Sequence, residues 1–361
     1  MTIGPLLLDW YACDLRTGII GEELRSLTPS GTVGRKLGQS VTANFNLDLN
    51  GAPPAWEAAT QPGRSLLTAV DNATQIPLWA GLILTRDGGS SNVVLIGAAT
   101  PEAYLDRRYT SDYGGFGVDQ AAIMTGVSQA LLVNAPPFVI DAPNTGVTST
   151  YTVQDGDDRT ILSSFQELMG QEGGAEFTVD VAWADAAHTT FNLPLRVRPQ
   201  IGIQSTTPEV VLDFPGCISA YSVQESYESG KGATEVLAWG DGQGASRLKS
   251  AVYTATDLIA QGWPAWTYRY TPSAGLTDPD QLNAHAAEAL TQMKDGATPW
   301  TVEVVASRAP RLGLDWALGD SIRVHVASSP RHPAGADTVA RVYAWDLDAT
   351  GDKVTPILLE D

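Results

Sequence analysis

The sequence predicts a mainly β chain with α+β insertions, divided into several domains, and three observations carry that reading. Charged side chains make up only 17% of the 361 residues, against about 25% in an ordinary soluble domain. The polar surface therefore falls largely to Thr, Ser, Asn, Gln and Gly. Glycine and proline are dense, at 35 and 22 residues, as many short strands joined by turns require. Apolar runs of strand length, bounded by Gly, Pro and Asn, recur along the chain. At about 150 residues per domain, the length allows two or three domains, each with a sizeable core.

The first hundred residues read as strands at Gly4–Asp14, Val41–Leu49, Ser65–Val70, Pro77–Thr85 and Asn92–Ala98. The last two flank Asp87-Gly88-Gly89-Ser90-Ser91, a hairpin with a longer loop. Residues 1–100 thus form a first β-barrel or sandwich domain. Residues 101–205 change texture to α/β. Apolar residues at 122, 123, 127, 130 and 131 give Asp119–Val133 a helical stripe. Arg159–Gly170 repeats it with Ile161, Leu162, Phe165, Leu168 and Met169, capped by Asp157 or Asp158 and ended by Gly170. Glu176–Trp183 and Phe191–Arg198 are strands.

Strands return at Val210–Phe214, Ile218–Tyr227 and Thr234–Trp239, then at Trp300–Ser307, Asp320–Ala327, Thr338–Asp346 and Val354–Leu359. Residues 206–249 and 300–361 therefore make a second β domain. Residues 250–299 make a helical insertion, with a helix over Asp278–Met293, a cap at Thr277 or Asp278, and Pro279 in the first turn. Leu282, Ala286, Ala289, Leu290 and Met293 share its inner face. A loose internal echo links Trp79–Ala98 with Asp320–Asp346, as two similar barrels in one chain would produce.

Composition removes several functions. With 22 basic and 41 acidic residues the net charge is −19, which opposes sequence-specific binding to phosphate backbones. No apolar run is long enough for a transmembrane helix. The opening MTIGPLLLDWYACD lacks a basic leader, so no secretory signal is expected. Cys13 and Cys217 read as two buried thiols of a chain folded in a reducing cytoplasm rather than as a bridge.

His188, His285, His325 and His332 never fall at i, i+4 and never accompany a cysteine pair, so no zinc site is expected. Gly240-Asp241-Gly242-Gln243-Gly244 lacks the Lys-Ser/Thr ending of a P-loop and reads as a flexible loop. Gly126-Val127-Ser128-Gln129-Ala130 imitates a nucleophile elbow, but within a helical stripe. Asp346, Asp348, Thr350 and Gly351 start like a calcium loop, yet the twelfth position is Ile357, so a hairpin turn is expected. Asp155, Asp157 and Asp158 suit a bound cation but serve equally well as helix caps. Trp263 and Trp266, with Tyr268 and Tyr270, are the densest aromatic cluster; sugar stacking and packing both suit them, and packing is the expectation. No catalytic, cofactor-binding or metal-binding residue is assigned, and no cofactor.

Three stretches resemble a known family. The opening Leu6-Leu7-Leu8-Asp9-Trp10-Tyr11-Ala12-Cys13-Asp14-Leu15-Arg16-Thr17-Gly18, running on to Glu22-Glu23-Leu24, resembles the start of minor tail proteins of long-tailed actinobacterial phages (siphophages). Arg159 to Gly170, with Gly173-Gly174-Ala175-Glu176-Phe177, resembles the inserted domain of tail hub proteins. Leu318-Gly319-Asp320-Ser321-Ile322-Arg323-Val324, with Arg341-Val342-Tyr343-Ala344-Trp345-Asp346, is similar to their closing barrel. The resemblance spans nearly the whole chain in order and texture.

It implies a baseplate hub, or tail-associated protein: two tail-tube-like β-barrel domains plus two peripheral inserted domains. Three copies would form a homotrimeric, pseudo-sixfold ring adapting the hexameric tube to the distal tip. The implied partners are distal tail and tail tube proteins, the tape measure protein, and other minor tail and receptor-binding proteins. DNA is met only in passage through the channel, and a negative inner wall would let it pass. The implied location is the tail tip of the virion, after synthesis in the host cytoplasm. The resemblance implies no enzyme, since the chain stops at Asp361, before the extension that carries such modules in many relatives. The rival readings are a carbohydrate-binding adhesin and a cell-wall glycosidase or peptidase.

Overall fold

The computed structural model describes residues 4–171, 173–240, 242, 244–272 and 278–360. Asp241 and Gln243 of the glycine loop, and Thr277, lie outside the described residues. The chain divides into two compact units. One comprises Met1–Met169, Gly174–Tyr221 and Thr301–Asp361; the other comprises Gly170–Gly173 and Ser222–Trp300. The whole is mainly β, as expected.

The first sheet uses β1 (Leu8–Asp14), β2 (Ile20–Glu23), β3 (Leu27–Pro29), β5 (Thr42–Asp48), β6 (Ser65–Asp71), β7 (Pro77–Asp87) and β8 (Val93–Ala99), with β4 (Val33–Lys36) set apart from it. Its order is β2-β1-β6-β7-β8-β5-β3. The edge strands β2 and β3 are consecutive in the chain, joined by Leu24–Ser26, so the sheet curls as a half-barrel. Alternation explains the inner face: β5 buries Ala43, Phe45 and Leu47 and exposes Thr42, Asn44 and Asp48. The rings of Trp10, Phe45 and Trp79 meet edge-on or tilted, with centroids 5.0–6.0 Å apart. All seven residues of β6 are buried, because Leu66 and Val70 pack into the neighbouring α/β core.

That block holds a one-turn helix at Glu102–Leu105, β9 (Tyr113–Asp119), α1 (Gln120–Val127), β10 (Phe138–Asp141), β11 (Thr148–Val153), α2 (Ile161–Met169), β12 (Glu176–Val179), β13 (Ala182–Trp183) and β14 (Phe191–Arg198). Strand β14 pairs with β10 in parallel and with β12 antiparallel. Two expectations need correction. The helix expected to reach Val133 stops at Val127, where the Ser128 hydroxyl donates to Thr125 O, and Gln129–Leu132 continues as a 3-10 turn. The cap of α2 is Thr160, whose hydroxyl oxygen accepts from Ser163 N. Asp157 instead accepts from Gln154 N, and Asp158 is left-handed.

The second large sheet orders β15 (Val211–Phe214), β21 (Ser321–Val326), β22 (Ala336–Asp348), β23 (Lys353–Glu360), β20 (Trp300–Val305) and β16 (Ile218–Val223), with β4 also paired to β22. Edge strands β15 and β16 are again consecutive, joined by the three residues 215–217. Setting β2 aside, the first sheet runs β1-β6-β7-β8-β5-β3 and the second β15-β21-β22-β23-β20-β16. Ranked by chain position, the two orders are the same. One difference follows from β2: it reverses the chain once more, so β1 lies antiparallel to β6 while β15 lies parallel to β21. The echo is therefore real but shifted by one strand, since the counterpart of β7–β8 is β22–β23. In sequence the two loops look alike, since residues 88–92 and 327–335 both carry polar residues and glycine.

The other unit contains β17 (Glu235–Ala238), β18 (Tyr253–Thr254), a short helix α3 (Thr256–Ala260), β19 (Thr267–Tyr270) and α4 (Pro279–Met293). Its sheet runs β18-β17-β19. Leu282, Ala286 and Ala289 of α4 pack on Ala233, Val236 and Ala238, and the Asp278 carboxylate caps the helix through Asp280 N.

Candidate assembly surfaces

His188 stacks on Trp183 with ring centroids 4.4 Å apart. His325 Nδ1 lies 3.4 Å from Asp337, whose carboxyl is pulled down to about 2, chiefly by its hydrogen bonds from Arg323. His332 Nδ1 is 2.8 Å from the Tyr221 hydroxyl, and His285 lies half-buried on α4. Cys13 and Cys217 are buried free thiols, as expected. Burial pushes them up to about 12 and about 11, so both stay protonated near neutrality. Ser128 is buried in its helix end. Asp348 closes the expected hairpin turn, its carboxylate accepting from Gly351 N at 2.9 Å. Among the described residues, no group of three or more His, Cys, Asp or Glu is placed to hold a metal ion. No described helix is long and apolar enough to cross a membrane.

Three arginines do the positioning in the larger unit. Arg311 donates to both oxygens of Asp71 at 2.6 Å and to Gly4 O at 2.8 Å. Burial alone would raise the Asp71 carboxyl; Arg311, the Thr74 hydroxyl and the Ala73 N–H together outweigh it and hold the group below its ordinary value. Arg341 clamps Glu176 and reaches Ile201 O and Gly319 O. Arg35 of β4 meets Asp180 at 2.6 Å, Thr178 Oγ1 at 2.7 Å and Val179 O at 2.8 Å. Beside it Glu102 is fully buried. One of its carboxylate oxygens accepts from Val179 N and the other has no hydrogen-bond partner, so burial raises its pKa despite Arg35. The sequence held no signal for the three ion pairs, whose partners are 145 to 240 positions apart.

What faces outward is apolar in places. A cleft of about 790 Å³ sets Ile203, Pro208, Val210, Pro310 and Leu314 beside the polar Ser205, Thr207, Glu209, Asp315, Asp320 and Ser321. Leu84, Val93 and Leu95 are exposed on β7 and β8. In the smaller unit the aromatic cluster divides. Tyr268 and Tyr270 pack against the helix side of their sheet, and the Tyr270 hydroxyl donates to His285 O. Trp263 and Trp266 are 41% and 51% exposed, flanking Tyr227 at 5.2 and 6.1 Å, so packing does not account for these two. Thr234 fixes their turn, its hydroxyl bonding Pro264 O and Trp266 N.

No family model matches the sequence, and no curated protein sequence does. Solved structures do. A tail protein from Neisseria meningitidis MC58 aligns over 98% of this chain and 96% of its own, with a TM-score of 0.60 at 15% identity. The prophage MuSo2 43 kDa tail protein from Shewanella oneidensis aligns over 98% of both chains, with a TM-score of 0.59 at 11% identity. The prophage tail protein gp18 from Listeria monocytogenes EGD-e covers 98% and 94%, with a TM-score of 0.56 at 11% identity. At such identities the likeness is one of architecture, and from end to end this chain has the fold of phage tail proteins.

Proposed function

We propose that this chain is a structural component of a phage tail, the central hub of the tail tip, without catalytic activity. Three copies would ring the tail axis, join the hexameric tube to the distal tip, and leave a channel for DNA. The observation that carries the reading is the repeated strand order. A chain holding two matched half-barrels presents six of them as a trimer, and so meets a sixfold tube without a symmetry mismatch. Likeness over 98% of the chain to solved tail proteins supports it. In this reading the two large sheets are the tube-like barrel domains. The block at residues 101–205 and the compact unit Ser222–Trp300 are peripheral. The low charged fraction suits strands buried against neighbouring subunits. The partners are tube, tape measure, other minor tail and receptor-binding proteins, and the place is the virion tail tip.

The test is localisation. An epitope-tagged copy supplied to the growing phage should enter particles, and gold-labelled antibody should mark one end of the tail. Label along the whole tube, or none on particles that carry untagged tails, would contradict the hub.

A further inference from the structure

The two matched sheets differ at one edge. On β22, pairing with β21 ends at Arg341, a bulge follows between Val342 and Ala344, and β4 then pairs with Ala344–Leu347. On β7, pairing with β6 ends at Leu82, and a bulge follows between Ile83 and Thr85. The bulge lies the same two residues beyond the last paired position in both. Past it, β8 pairs with Thr85–Asp87 from one side. Among the described residues no strand pairs with the other side, which is where β22 receives β4.

The side chains follow the same correspondence. Tyr343, at the β22 bulge, lies under the Lys36 ammonium of β4, 5.5 Å from its ring centroid. Its counterpart Leu84 is 47% exposed. Asp346, beside Gly34 of β4, is half-buried, whereas its counterpart Asp87 is exposed. Leu95, opposite Asp87 on β8, adds exposed apolar surface. Segment 57–63 meets β7 here without pairing as a strand: Gly63 N donates to Ile83 O, and the Arg86 side chain donates to Glu57 O and Thr60 Oγ1. A strand edge left without a paired strand beside exposed leucine is a template for an added one.

We propose that the free edge of β7 at Thr85–Asp87 receives a strand from a second copy of this chain, as β22 receives β4 within one copy. The inference rests on the hub reading, because a closed ring of repeated half-barrels must make between chains the contact it makes once inside each chain. The interface is heterologous: the β7 edge of one copy meets a different segment of the next.

The test uses the full chain, with mass from light scattering and hydrogen exchange of the backbone amides. Wild type should assemble as three chains. Its amides over Thr85–Asp87 should exchange at least about tenfold more slowly in the assembly than in the diluted single chain. Leu84→Arg should keep the wild-type circular dichroism and melting temperature yet remain a single chain at concentrations where wild type assembles. Val139→Arg, at an exposed position on β10, should assemble normally. If Leu84→Arg assembles like wild type, or those amides exchange equally fast in both states, the strand addition is wrong while the trimer stands. A wild type that stays a single chain at every concentration also overturns it, and the hub then rests on the gold-labelling result alone.

Discussion

Glu102 and Asp71 are both buried carboxyls, and they answer to pH in opposite directions. Burial raises Glu102, so its folded pKa lies above the unfolded value. The stability it contributes is full below the ordinary carboxylate range and is lost as pH rises through the raised value. Asp71 is depressed by Arg311, so its contribution is present above the ordinary range and lost on acidification. Glu102→Gln keeps an acceptor for Val179 N and removes the charge. At pH 8 it should melt higher than wild type by roughly 2–4 °C, about what 1 kcal/mol yields in a large domain. The gain should vanish near pH 4, where wild-type Glu102 is neutral. A wild type that melts higher at pH 8 would show that Glu102 is held ionised by Arg35.

Among the elements, β4 ties the two large sheets together. Gly34 lets it lie against β22: an added Cβ would sit 2.3 Å from an Asp346 oxygen and 2.6 Å from Trp345 O. Gly34 O also accepts from the buried Trp79 indole at 3.0 Å. Gly34→Val should therefore destabilise the protein by about 2–4 kcal/mol, through overpacking and a lost buried hydrogen bond. Urea unfolding measures it, and an unchanged midpoint would mean that β4 is dispensable. The sequence did not mark β4, because Val33-Gly34-Arg35-Lys36 is short and neither alternating nor apolar. Strand β9 was hidden likewise by Tyr113-Gly114-Gly115-Phe116-Gly117, whose glycines lack strand propensity. The long runs were legible: β5, β6, β7, β8, β14, β22 and β23 fall within a few residues of their expected places, since alternation and bounding turns are local signals. The buried ion pairs and the open β7 edge were not, because both depend on contacts between distant parts of the chain.

At the scale of the whole molecule, the backbone repeats itself. Two sheets share one strand order, and each has consecutive strands at its edges. The echo was visible in the sequence only as texture, since side chains diverge while backbone order is retained. Insertions are placed where they leave that order intact: one between the two sheets, and one between β16 and β20, where the first sheet has β4. The measurement that tests this most directly is the mass and shape of the purified 38.3 kDa chain, by light scattering and negative-stain imaging. The account predicts a particle of three chains, threefold symmetric, with six lobes around a central opening. A particle of two or four chains, or a trimer without an opening, would contradict it.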